Sequence, residues 1–384
     1  MDMRQVYEIA NLIASETLGR ENVVNENLEN IVDVGTEILN NGSFDHFVKG
    51  LVDHIGKMVF VNRPYSGSAP SVLMDGWEYG AVLQKISADD YEAENNESWE
   101  LEDRVSYDTN IFYQPKVKNK FFNKRTTFEI PRSITYMQAK SGFDNGGQLG
   151  AFISMLDTAV NNGMTIRTDG LIQRTINNMI AETFYDAMPD GTYTGAGNTR
   201  CINLLKQYND TYNKSLTADV CFYDAEFIRY CVYVMTLTKA RLSKISKLFN
   251  IGGETRFTSA DRLHFITLAD FDAAATAFMQ ADTYHDELVR LPKSETVPFW
   301  QGSGKQYGLN DVSSINVTSA SGHTVNASGI IGVMFDRDAL GVTNYDRRTT
   351  NNWNPKAEFW SAWFKMEAGY FNDTNENFVV FYAA

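Results

Sequence analysis

Cysteine and histidine are scarce, with three and five copies in 384 residues. Cys201, Cys221 and Cys231 form no Cys-x-x-Cys pair and lie in apolar surroundings, which argues against a disulfide framework or a zinc site and for a reducing compartment. No run of eighteen apolar residues occurs, and the opening MDMRQVYEIANLIASETLG has no basic segment followed by an apolar block. Neither a membrane span nor an export signal is therefore expected. Without such a signal, Asn-x-Ser/Thr triplets such as those at Asn316 and Asn326 are chance matches. Positive charge is also short: 34 Lys and Arg against 48 Asp and Glu leave a net charge of −14, so the surface as a whole repels nucleic acid.

Catalytic signatures are missing as well. There is no Gly-x-Ser-x-Gly and no His-Glu-x-x-His, and TGAGNT at 194–199 matches neither phosphate-binding glycine pattern, so it is expected to be a mobile loop. Asp270 and Asp272 form an Asp-x-Asp pair that is better explained by helix capping than by a metal. Asp282, His285, Asp286 and Glu287 fall within one helical turn and read as a solvated face. His46 and His54, each beside an aspartate, read as ordinary surface or interface histidines. Lys239, Arg241, Lys244 and Lys247 suit the C-terminal end of a helix. No carboxylate pair among 48 acids stands out as a glycosidase pair. No cofactor or metal site is assigned.

Apolar and aromatic residues are abundant, at 43% and 13%, which excludes a disordered chain and fits one rich in packed surfaces or interfaces. Residues 1–60 read as helical, most clearly over SFDHFVKGLVDHIGKMVF at 43–60, where apolar residues recur at three and four. VNRPYSGSAPSVLMDGW at 61–77 reads as a connection and places a boundary near 61–75. From 79 to 136 a strand-like start gives way to an acidic run from Asp89 to Asp103, then to a basic stretch interleaved with Phe121, Phe122, Phe128 and Ile130. Two strand-like arms of opposite charge would form a long hairpin that attracts itself or a neighbouring molecule. Ordinary surface ion pairs explain the same charges equally well.

Helical periodicity spans 146–186, where Gly163 and Gly170 would break or bend it, and a second long helix is expected from Asp224 to the stop at Gly252 and Gly253. RLHFITLA reads as a strand, followed by a helix that Asp270 would cap. From Trp360 to Tyr370 apolar residues alternate with Ser361, Lys365 and Glu367, the period of a half-buried strand. FVVFY at 378–382 would leave side chains worth roughly 1.5 to 3 kcal/mol each in water unless it packed, so it is expected as a core strand. The turn-forming NDTNEN between them predicts a hairpin of the two. Helices and strands alternate without βαβ repetition, and the class is α+β.

This order of elements resembles the tailed-bacteriophage major capsid protein of the Hong Kong 97-type fold over nearly the whole chain. Through NNWNPKAEFWSAWFKMEAGYFNDTNENFVVF it is most similar to head proteins of small podoviruses of Gram-positive hosts. The resemblance implies an N-terminal helical arm at 1–60, a peripheral domain from 61–80, 131–195 and 340–384 with a long spine helix at 146–186, an extended hairpin loop at 81–130 and an axial domain at 196–339. GIIGVMFDRDALG at 329–341 looks like the strand returning to the peripheral domain. The hairpin would reach over an adjacent subunit. That makes Glu94, Glu97 and Glu100 on its acidic side candidate inter-subunit contacts. Lys116, Lys118, Lys120, Lys124 and Arg125 are the candidates on its basic side, and charge reversal at Lys118 and Lys120 should impair assembly. The implied function is a structural one, self-assembly into pentamers and hexamers of an icosahedral head assembled in the host cytoplasm. Its implied partners are itself, a separate scaffolding protein, a portal protein and packaged double-stranded DNA without sequence-specific contacts. High aromatic content and an acidic surface fit such a subunit. Two further readings are an encapsulin-like compartment shell and an intracellular carbohydrate-active enzyme.

Overall fold

A computed structural model of the chain describes residues 3–20, 23–25, 30–40, 69–74, 83–88, 93, 96–107, 109–110, 112, 114, 116–136, 146–280, 294–301, 312–319 and 321–384. The helix read over 43–60, with His46 and His54, lies outside them, as does the Asp282–Glu287 cluster. The chain divides into two compact units. Unit 1 comprises 1–78, 125–175 and 341–370, and unit 2 comprises 79–124, 176–340 and 371–384.

In unit 1, helices α1 (Met3–Leu18) and α2 (Ile31–Asn40) bury Ala10, Ile13 and Ala14 on the one and Val34 and Ile38 on the other. Asn11 Oδ1 accepts from Val24 N at 3.0 Å, fixing the connection between them. The sheet is built from β1 (Leu73–Met74), β4 (Arg125–Thr135), β11 (Leu340–Asn354) and β12 (Phe359–Asn372) in the order β1-β11-β12-β4. β12 and β4 run antiparallel with Phe364 opposite Ile130 and Lys365 opposite Glu129. The predicted alternation is realised: Trp360, Ala362, Phe364, Met366 and Ala368 are buried. The other face carries Lys365 paired to Glu129 at 3.7 Å and Arg125 to Glu367 at 2.8 Å.

Helix α3 (Gly146–Ala187) runs unbroken for 42 residues, through both glycines expected to interrupt it. Gly163 has a packing role instead. A Cβ there would lie 2.7 Å from Ile130 Cδ1, so the missing side chain lets the helix lie close on β4. Buried Thr168, Thr175 and Thr183 return their hydroxyls to the carbonyls four residues back at 2.8–3.0 Å, which keeps this long apolar face free of unsatisfied hydroxyls.

Unit 2 is centred on a sheet of β5 (Cys201–Asn203), β6 (Leu263–Leu268), β7 (Glu295–Val297), β10 (Ile330–Asp336) and β13 (Phe378–Tyr382), in the order β5-β13-β10-β6-β7. Every residue of β10 and β13 is buried, which is why these runs are apolar on both faces. Helices α4 (Leu204–Tyr212), α5 (Ala225–Leu242) and α6 (Ala269–Gln280) belong to the same unit, as does a small hairpin of β8 (Ile315–Thr318) and β9 (Thr324–Ala327).

Four local expectations are corrected. β12 and β13 do not pair: β12 joins the sheet of unit 1, whereas β13 pairs antiparallel with β10 and parallel with β5, because an all-buried strand needs neighbours on both edges. α5 stops at Leu242 and not near Gly252, since Ser243 Oγ turns back to Ala240 O at 2.7 Å and Ser246 forms a bridge with Arg256. α6 starts at Ala269, so Asp270 and Asp272 sit within its first turn, where they complement the helix dipole. TGAGNT is a hydrogen-bonded turn: Asn198 Oδ1 accepts from Arg200 N and Cys201 N at 2.9 and 2.8 Å. Within it Gly197 has φ +74°, and a Cβ would lie 1.8 Å from Cys201 O.

Candidate functional site

The charged hairpin exists, in a different form from the one expected. β2 (Leu83–Ala88) and β3 (Val117–Phe122) pair antiparallel from Leu83 opposite Phe122 to Ala88 opposite Val117. Asp89, Asp90, Glu92 and Glu94 of the acidic run lie outside the described residues, and Glu97, Glu100, Glu102 and Asp103 fall between the two strands, on neither of them. The basic stretch splits between β3 and β4, which belongs to another sheet. Period two gives the ribbon two unlike faces. Lys85, Lys118 and Lys120 share one, and Ile86, Val117 and Phe121 share the other.

Lys85 and Lys120 stand directly opposite each other, a repulsive cross-strand pair in isolation. One carboxylate resolves it. Asp373 takes Lys85 Nζ on Oδ2 at 2.6 Å and Lys120 Nζ on Oδ1 at 2.9 Å, with only 3% of its side chain exposed. Lys85 also donates to Asp338 O at 3.0 Å and to Glu376 Oε1 at 3.2 Å, and Lys118 reaches both oxygens of Glu254 at 2.8 Å. Phe122 packs on Phe371 with ring centroids 5.2 Å apart.

The segment holding these acids was read as a plain turn, and it is a buried hub. Asp373 N donates to Ala339 O at 2.6 Å, Gly252 N to Thr374 O at 2.9 Å and Phe378 N to Phe249 O at 2.9 Å, while Asn377 Nδ2 donates to Thr258 Oγ1 at 3.1 Å. Its two acids titrate in opposite directions. Burial works to raise the Asp373 carboxyl, but Lys85 and Lys120 outweigh it and hold the group below its usual range. At Glu376 burial wins over Lys85 and Arg256, and the group is pushed up.

Of the eight candidate contact residues, Glu94 lies outside the described residues, Glu97 falls on a 3₁₀ turn at Glu97–Trp99, and Glu100, Lys116 and Lys124 are exposed. Lys118 and Lys120 are engaged within their own chain, and Arg125 pairs with Glu367 on β4's sheet. Lys85, Glu254, Asp373 and Glu376 were missed. The one local hint was the pair of acids in NDTNEN, Asp373 and Glu376, against three lysines on one hairpin face; Glu254 lies elsewhere in the chain.

Elsewhere in unit 2, Tyr208, Tyr212, Tyr230 and Tyr233 line an open groove of about 400 Å³ with Glu226 and Arg229. The three cysteines are buried and without disulfides, and burial pushes all three thiols up, Cys221 to about 12, so they are poor nucleophiles. Among the described residues, no group of three His, Cys, Asp or Glu could hold a metal ion, and no helix is long and apolar enough to cross a membrane.

This set of elements, a four-stranded and a five-stranded sheet, a 42-residue helix and a charged two-stranded ribbon, has known counterparts. A family model described as Phi29-like phage major capsid protein matches residues 10–382. The chain belongs to this family. As a Phi29-like major capsid protein it is a structural protein of the bacteriophage head shell and a component of the virion. Its fold is similar to that of a chain in the capsid of Staphylococcus phage Andhra, with TM-score 0.51 and 8% identity over 84% of this chain and 86% of that one. It is likewise similar to a chain in the structure of head fiber and inner core protein gp22 of native bacteriophage P68, with TM-score 0.50 and 8% identity over 85% of this chain and 86% of that one. No curated protein matches the sequence.

Proposed function

We propose that this Phi29-like major capsid protein builds pentamers and hexamers of an icosahedral head with the Hong Kong 97-type arrangement, and that its hairpin bridges adjacent subunits. The observation that carries the bridging role is the ribbon's outward face. Ile86, Val117 and Phe121 are 67%, 60% and 60% exposed, while the opposite face is held by the chain's own acids. Three large apolar side chains on one side of a two-stranded ribbon are a surface that a neighbour's contact would bury.

In this reading residues 61–80, 131–195 and 340–384 form the peripheral domain, 81–130 the extended loop, 196–339 the axial domain and 1–60 the arm. Glu94, Glu97, Glu100, Lys116 and Lys124 meet neighbouring subunits, and Arg125 lies at the edge of that contact. Lys118 and Lys120 act on assembly through the hairpin root they secure. A separate scaffolding protein, a portal protein and double-stranded DNA held without sequence-specific contacts are the partners. Assembly takes place in the host cytoplasm, the host being Gram-positive and the virus a small podovirus.

Electron microscopy and sedimentation of the full chain, alone and co-expressed with its neighbouring phage genes, test this. Closed shells or rings of five or six are expected. A clean monomer under both conditions would sink the self-assembly geometry.

A further inference from the structure

The tip of the hairpin leaves a bulky apolar group unused. Trp99 is 88% exposed, and Leu101 beside it is exposed too, so neither is covered by its own chain. Glu100, Glu102 and Asp103 surround them, and a turn closed by Glu102 N on the Tyr107 hydroxyl at 3.0 Å, with Arg104 at φ +71°, fixes their order. The tip is aromatic and acidic.

Its chemical complement lies on the same chain. From Phe227 to Gly253 there is no acidic residue. Where α5 ends, Arg241, Lys244 and Lys247 are exposed alongside exposed Ile245 and Leu248. The bridge between Ser246 and Arg256, with N–O distances of 2.9 and 3.0 Å, and Thr258 N on Leu242 O at 2.8 Å bring exposed Phe257 into the same patch. None of the three cations forms an ion pair with a described residue. Glu254, the next acid along the chain, is taken by Lys118.

We infer that the hairpin tip of one subunit docks on the α5 C-terminal patch of a second copy of this chain. Trp99 and Leu101 cover Ile245, Leu248 and Phe257, and the tip acids meet Arg241, Lys244 and Lys247. An indole against apolar groups ringed by cations gains from burial and from cation–π attraction, and the acids fix its register. Because the two surfaces differ, the contact is heterologous, and repetition closes a ring where the rotation allows. The inference rests on the reading that the hairpin bridges subunits, and names what receives it. Apolar residues between the lysines favour a protein partner over nucleic acid.

The test is zero-length carbodiimide crosslinking, read by mass spectrometry, of particles co-assembled from light and heavy isotope-labelled full-length subunits. Mixed-label links from Glu100, Glu102 or Asp103 to Lys244 or Lys247 are expected. Mixed-label links from the tip to other residues would overturn this pairing and leave the bridging reading standing, whereas only same-label links at the tip would overturn both. Lysine protection confined to DNA-filled particles would assign the patch to nucleic acid and overturn the pairing. In parallel, Glu100→Lys with Glu102→Lys should lower particle yield about tenfold, as should Lys244→Glu with Lys247→Glu. Combining all four should restore it, and no recovery from folded double variants also counts against the contact.

Discussion

Asp373 and Glu376 sit three residues apart on one buried turn and make opposite contributions to stability. Asp373 is held below its ordinary range by two lysines, so what it contributes is present at neutral pH and lost as pH falls through that lowered value. Glu376 is raised by burial, so its contribution is present in acid and lost as pH rises through the raised value. The hairpin root is therefore expected to be most secure in mild acid, close to the ordinary carboxylate values of about 4, where both contributions are present. Asp373→Asn leaves Lys120 without its counter-charge and Lys85 with Glu376 alone, and should cost about 2 kcal/mol at neutral pH. Glu376→Gln should be neutral or stabilising there, and should remove the wild-type gain between pH 7 and 5. Thermal melts of the three proteins across pH 3 to 8 decide this, and equal losses from both variants at pH 7 would contradict it.

The ribbon shows how an element can be legible in part. Its existence and charge were readable because strand-like runs and charge blocks are local properties. Its pairing was not, because the sequence gives no distance between Lys120 and Asp373, 253 residues apart in the chain. For the same reason α3 was readable almost to the residue, while FVVFY was rightly expected as a core strand and wrongly paired with its nearest neighbour in sequence. Gly163 looked like a helix breaker, since its role depends on Ile130, which no periodicity reveals. The two faces of the ribbon should separate experimentally. Ile86→Ser with Phe121→Ser, both on the exposed face, should leave the melting midpoint of the isolated subunit within about 2 °C of wild type, as surface substitutions away from special features do. The same pair should reduce particle yield, measured by sedimentation. A large loss of subunit stability would show that this face is covered within the chain.

At the scale of the molecule, composition pointed to a chain rich in packed surfaces or interfaces, and the family match gives a structural protein of the phage head. Both units are assembled from segments scattered along the chain, three for each. Local patterns suggest the order of elements but not which sheet each strand joins, because long-range pairing leaves no local trace.

That partition has a consequence for synthesis. In unit 2, β13 lies between β5 and β10, with Val380 opposite both Cys201 and Val333, yet it follows both of them in the chain. Until residues 378–382 emerge from the ribosome, the sheet lacks an inner strand and the apolar edge of β10 is open to pairing with other chains. A protein stopped after Asn377 is thus expected in the insoluble fraction, and its recovery as a soluble folded subunit would refute this. Closure of the unit 2 sheet thus waits on β13, the last of its strands in chain order.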